Sequence, residues 1–125
     1  MRPKSLHEVA EWAARGESFD LSLKEFLDEF YAHPSQEALT LEPQLLQGAV
    51  NKGDICDAYL AAVAEALACK YKLDTPSWSY ASHRKLTHPW FAMTADSLRA
   101  ILLHESPAAF RSRNLFVSEN ALSRA

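Results

Sequence analysis

Five histidines, His7, His33, His83, His88 and His104, could hold a metal ion if they converged. A helical zinc site needs two histidines four residues apart, and a loop site needs a Cys-x-x-Cys pair. Neither spacing occurs; His83 and His88 are five residues apart across a loop-forming stretch. The histidines are therefore expected to be solvated or hydrogen-bonded, and no metal is expected. Cys56 and Cys69 are the candidate thiol nucleophiles. Both fall on one predicted helix, where thirteen residues at ~1.5 Å rise put them about 20 Å apart. A disulfide needs Cα atoms within ~7 Å, so two free thiols in a reducing compartment are expected. Inside a core helix each behaves as a small hydrophobe. No Gly-x-Ser-x-Gly elbow is present, and Gly16, Gly48 and Gly53 all fall at predicted helix ends rather than in a phosphate-cradling loop. His104 beside Glu105 would be an acid–base pair, but adjacent residues point to different sides of a helix. The expectation is a non-catalytic chain without a cofactor.

Recognition chemistry is better represented. The segment from Ser106 to Val117 holds Arg111, Arg113, Asn114 and two phenylalanines. Arginine pairs bidentately with carboxylate or phosphate. On a helix Arg111 and Arg113 lie about 200° apart, so they do not form one prong. Two readings stay open: the arginines meet an external partner, or they pair with the chain's own acidic half. That half exists. Residues 1–82 carry 7 Lys/Arg against 13 Asp/Glu, a net of −6, and residues 83–125 carry 6 against 3, a net of +3. The halves sum to the formal charge of −3. Trp78 and Trp90 are either core plugs or binding anchors, since Trp and Arg are enriched at binding hot spots. Phe91 and Arg99 complete the candidate partner-binding set of Trp78, Trp90, Phe91, Arg99, Arg111, Arg113 and Asn114.

These side chains must be carried by helices. Ala (20) and Leu (17) far outnumber Val, Ile and Thr, which total 10. The first pair favours helices and the second set strands. Hydrophobic residues make up 48% and charged residues 23%, a composition that folds. The fold class expected is all-α, a compact single-domain bundle of about five to seven helices around a buried central helix at 54–72. In that helix Ile55, Tyr59, Val63, Leu67 and Tyr71 recur every four residues. Ser5 to Glu8 and Ser22 to Glu25 read as capping boxes. Pro43 at a first helical position predicts a short helix to Gly48. Thr94 is the expected cap of a helix over 95–104 with Leu98, Ile101 and Leu102 facing the core, and Pro107 opens another to 113. Trp78 and the Trp90–Phe91 pair are expected in loops. Residues 1–20 read as an N-terminal helical arm and 21–125 as the domain. Glu8 and Glu11 interrupt any signal-peptide core, and the run from Ala58 to Cys69 is too short to span a bilayer. A cytoplasmic chain without a membrane partner is expected.

One resemblance goes further. Asp57-Ala-Tyr-Leu-Ala-Ala-Val-Ala-Glu65, Pro76-x-Trp78, His88-Pro-Trp-Phe91, Leu98-Arg-Ala-Ile-Leu-Leu103-x-Glu105 through Val117, and the ending Ala121 to Ala125 resemble a small bacterial family of helical proteins over roughly residues 23–125. The resemblance implies an antitoxin-like role beside a nucleotidyltransferase-like toxin. It implies no catalytic residue. On this reading Trp78, Trp90 and the Arg111–Arg113 segment contact the toxin, and acidic metal-binding residues there are natural targets for the arginines. Pairing with a second copy of the chain stays open. The alternative is a small DNA-binding regulator using 95–104 and 107–113 as a helix-turn-helix, which a pI near 5.9 disfavours.

Overall fold

The computed structural model describes residues 1–124. Ser5 opens α1 (Leu6–Ala14), its hydroxyl accepting the Glu8 N–H at 3.1 Å. The face formed by Leu6, Val9, Ala10 and Ala13 is buried and packs on α2 (Phe19–Ala32). The cap of α2 is Ser18, which accepts the Leu21 N–H at 3.2 Å. The expected cap, Ser22, is instead buried inside a longer helix. The earlier serine wins because its helix adds the half-buried Phe19 to the apolar face of Leu23, Phe26, Leu27 and Phe30. After Pro34 comes one turn, α3 (Glu37–Thr40).

The helix expected from Pro43 to Gly48 does not form. Residues 42–46 are extended because their polar backbone groups find tertiary partners in place of helical ones. The Leu46 and Gln47 N–H groups are held by Asp57, and the Pro43 carbonyl by Arg84. Leu39 and Leu46 reach the core, whereas Leu41 and Leu45 are exposed.

The central helix is α4 (Gly53–Tyr71). Ala58, Leu60, Ala61, Ala62, Val63 and Ala64 are all buried, because their small side chains admit neighbours from several sides. The outer ladder positions Ile55, Tyr59 and Tyr71 are half-buried. Lys72 ends the helix in the left-handed region (φ 57), with the Leu73 N–H returning to the Ala68 carbonyl at 2.8 Å. At the other end a Cβ on Gly53 would lie 2.0 Å from the Leu46 carbonyl oxygen and 2.7 Å from the Gln47 nitrogen. Both atoms are backbone held in place, the Gln47 N–H by Asp57 and the Leu46 carbonyl by the Ala49 and Val50 N–H groups, so neither can yield cheaply. Gly53→Ala is therefore expected to cost about 1–3 kcal/mol by overpacking, read as a lower urea midpoint at unchanged slope.

The last third departs most from an all-α reading. Two 3-10 turns (Ser77–Tyr80 and Ser82–Arg84) follow, and the first carries Trp78, expected in a loop. Next come β1 (Trp90–Phe91), α5 (Asp96–Glu105), a one-turn α6 (Ala108–Arg111) and β2 (Leu115–Phe116). β1 and β2 pair in parallel, Trp90 opposite Leu115 and Phe91 opposite Phe116. The protein is thus mostly helical with a minimal two-stranded ladder. The Phe91 and Phe116 rings stack with centroids 4.9 Å apart. The free edge of β2 is occupied by Ser106, whose hydroxyl donates to the Leu115 carbonyl and accepts the Val117 N–H. α5 begins after Ala95 with no side-chain cap, so Thr94 does not serve as one. α6 stops at Arg111 because the backbone beyond it turns to bury Arg113.

Candidate functional site

The seven candidate residues separate into two groups. Trp78, Arg113 and Asn114 are engaged within the chain. Buried Trp78 donates its Nε1–H to the Leu39 carbonyl at 3.1 Å. Buried Arg113 donates to Glu65 Oε1 at 2.6 Å, the Ala109 carbonyl at 2.7 Å and the Ser79 carbonyl at 2.9 Å. Asn114 adopts φ 62 at the turn between α6 and β2, and its amide donates to the Leu86 carbonyl at 2.7 Å. Asparagine suits that place because a short amide tolerates positive φ. Trp90 and Phe91 are half-buried, and Arg99 and Arg111 are exposed. The fold brings Arg99 onto Phe91, its guanidinium 5.3 Å from the ring centre.

Three arginines of the last third reach the acidic half. Arg113 takes Glu65, Arg124 takes Asp28 at 2.9 Å, and Arg84 takes Glu42 and Asp57. Asp28 is held below the usual carboxylate range by its hydrogen bond to Arg124. Arg84 and Asp57 are both 0% exposed. The Arg84 guanidinium is 3.7 Å from Asp57 Oδ1, donates to the carbonyls of Asp57 and Pro43, and stacks over Trp78. Asp57 accepts the Leu46 and Gln47 N–H groups at 2.7 and 3.1 Å. Burial pushes its carboxyl up even though these N–H groups and Arg84 pull it down. This strut was not among the sequence candidates. Its only trace is Asp57 itself, a charge on a mostly apolar helix that must find a partner.

The outer surface is set by α5. Leu102 is its one buried residue. Leu98 (39%), Ile101 (50%) and Leu103 (51%) are exposed, which corrects the expectation that Leu98 and Ile101 face the core. At 100° per residue Leu98 and Ile101 share one flank of Leu102 and Leu103 lies on the other. The helix therefore stands on the body by one side chain and leaves two apolar flanks uncovered. Met93, just before it, is exposed as well.

The reactive groups are quiet. Among the described residues no three His, Cys, Asp or Glu side chains gather as a metal site, and no helix is long and apolar enough to cross a membrane. His7 and His83 both approach Glu42, through its carbonyl and its carboxylate respectively. Burial pushes the Cys56 thiol up to about 11 and the Tyr59 phenol up to about 12. Cys56 is thus protonated near neutral pH and a weak nucleophile. Both folded values lie above the ordinary 9.0 and 10.0. Their stabilising contributions are complete below those ordinary values and are lost as pH rises through about 11 and about 12. Urea midpoints measured upward from pH 9.0 should fall, and Tyr59→Phe should flatten the fall.

Scans of protein-family models, curated proteins and solved structures found nothing that matches this chain.

Proposed function

We propose that this protein is a non-catalytic protein-binding module, the antitoxin that neutralises a nucleotidyltransferase-like toxin encoded beside it. The observation that carries the binding role is the exposed apolar surface of α5, with Leu98, Ile101 and Leu103 uncovered on a helix anchored by Leu102 alone. Leu98 and Ile101 form one continuous exposed apolar flank, and such surfaces on a small protein mark interaction sites. Phe91 under Arg99 and the exposed Arg111 place aromatic and cationic groups in the same third of the chain, the types enriched at binding hot spots. The toxin's class rests on the resemblance alone, and its acidic metal-binding residues are the complement for Arg99 and Arg111. The DNA-binding alternative needs a recognition helix after α5, and α6 is a single four-residue turn. The cytoplasm is the proposed compartment.

The test is co-expression of the tagged chain with the product of the adjacent gene, followed by affinity capture and sizing. A stable complex of the two is expected. Recovery of the chain alone, or only as a pair of copies, contradicts the assignment.

A further inference from the structure

Three elements leave a gap that none of them fills. Phe19 and Leu23 stand one turn apart on α2, and Ile55 and Tyr59 one turn apart on α4, so each pair forms a short apolar ridge. Trp90 in β1 and Ala92 just after it fall on one side by strand alternation. Between these three walls opens a groove of about 460 Å³. It stays open because small side chains, Ala92 and Ala121, stand where larger ones would fill it. The volume falls in the ~300–1,000 Å³ range of small-molecule sites, which are apolar with a few polar groups at fixed places. One such group is the Tyr59 hydroxyl. Its ring is held edge-on by Phe19 and Phe110, with centroids 6.2 and 5.0 Å away. The hydroxyl makes no hydrogen bond among the described residues, and it is not sealed off either, because the one buried side-chain polar atom left without a partner is Arg84 Nε. Burial, reinforced by Asp20 on the groove rim, pushes this phenol up to about 12, so it remains an O–H donor. Burial, reinforced by Asp57 and Asp54, likewise keeps the Cys56 thiol on the groove wall protonated, up to about 11.

These walls select against charge. An anion would meet the carboxylates that already act on the two donors, Asp20 on Tyr59 and Asp54 on Cys56. A cation finds no unshared carboxylate: Asp20 is held by Lys24 at 3.0 Å, Lys52 stands on the same rim, and Asp54 lines the neighbouring cleft with His88. Either ion would also lose its water against apolar walls, which costs several kcal/mol when no partner compensates, roughly 2–7 even for a neutral polar group. What is left unanswered is a fixed O–H donor beside aromatic and aliphatic surface. We infer that the groove binds a free, flat, neutral apolar molecule bearing one hydrogen-bond acceptor, of the aryl ketone class. Its rings lie between Phe19, Ile55 and Trp90, and its carbonyl oxygen accepts from the Tyr59 hydroxyl. No residue of α5 lines this groove, so the site is separate from the partner surface and its test involves no protein partner.

Four naphthalenes substituted at the same carbon test the inference: acetylnaphthalene, ethylnaphthalene, naphthoate and naphthylmethylammonium. Each is titrated into the full chain and followed by proton–nitrogen correlation spectra. Acetylnaphthalene should give saturable shifts centred on Phe19, Ile55, Tyr59 and the Trp90 indole. It should bind about fivefold tighter than ethylnaphthalene, which has the shape without the acceptor. The anion and the cation should each bind at least about tenfold more weakly than the ketone. Tyr59→Phe keeps the ring and removes the donor, so it should weaken acetylnaphthalene about fivefold and leave ethylnaphthalene unchanged. Ala92→Trp, at an exposed groove residue, should fill the space and abolish binding of both neutral ligands with an unchanged circular dichroism melt. Ala121→Trp gives the same readout from another wall if that variant folds poorly. The inference is overturned by no saturable shifts with acetylnaphthalene, by shifts centred outside the groove, or by naphthoate or the ammonium binding as tightly as the ketone. It is overturned equally if Tyr59→Phe leaves the ketone unchanged or weakens both neutral ligands alike, or if the filled variants keep wild-type affinity.

Discussion

Replacing Arg84 with alanine is expected to lower the unfolding free energy by about 3–5 kcal/mol, the usual cost of removing one partner from a buried ion pair. The guanidinium is fully buried and joins three segments distant in sequence. It binds Glu42 and Pro43 in the extended loop, Asp57 on α4, and the face of Trp78 in the first 3-10 turn. Its loss leaves the Asp57 carboxylate buried without a counter-charge, and the Pro43 carbonyl without a donor. Urea unfolding followed by circular dichroism reads the change as a lower midpoint. Asp57→Ala should be as severe, because it also strands the Leu46 and Gln47 N–H groups. Asp57→Asn should cost less, about 1–2 kcal/mol. Burial already pushes the Asp57 carboxyl toward its neutral form, and the amide oxygen still accepts one N–H. Wild-type midpoints for Arg84→Ala and Asp57→Ala would show that the strut contributes nothing.

Ile101→Asp should separate binding from folding. Ile101 is half exposed, and substitutions at such positions usually change stability by no more than ~0.5 kcal/mol. The melting curve of the free chain should barely move. In a complex that covers α5, the same change buries an unpaired carboxylate at the centre of an apolar contact. Hot-spot residues at an interface centre cost ~2 kcal/mol or more when truncated, so affinity for the proposed partner should fall at least about thirtyfold. Leu98→Asp, on the same flank, should behave alike. Leu103→Asp, on the other flank, tells whether the partner covers both sides of the helix. Titration calorimetry with the purified partner gives the affinities. An unaltered Kd for Ile101→Asp removes α5 from the interface.

The helices were legible where apolar spacing and an end signal agreed. Ser5 with Leu6, Val9, Ala10 and Ala13 placed α1, and the apolar ladder placed α4 to within a residue or two. Pro43 misled because a good first-turn residue is only a local preference, and Asp57 and Arg84 supply stronger partners from elsewhere. The strands were invisible for another reason. Two residues hold no period, and what pairs them is long-range: the Trp90 and Ala92 N–H groups donate to the Asn114 and Phe116 carbonyls, and Phe91 stacks on Phe116. The Arg111–Arg113 spacing presumed a helix through 113, which ends instead at Arg111. The two side chains do part company, one exposed and the other buried on Glu65, but through the turn that follows α6 at Arg111 rather than through helical spacing. Nothing local distinguished Trp78, buried beneath Arg84, from Trp90, half-buried at the groove. The same holds for α5. Its apolar period reads as a core helix, and only the tertiary structure reveals that Leu102 alone is covered.

Growth is the most direct readout of the central claim. Cells induced to express the product of the adjacent gene, proposed above as a nucleotidyltransferase-like toxin, would receive the wild-type chain, the Ile101→Asp variant, or an empty vector. Arrest with the empty vector, recovery with the wild type, and arrest with Ile101→Asp at equal protein level is the predicted pattern. Arrest in the presence of the wild-type chain, or full recovery with Ile101→Asp, would contradict an antitoxin acting through α5.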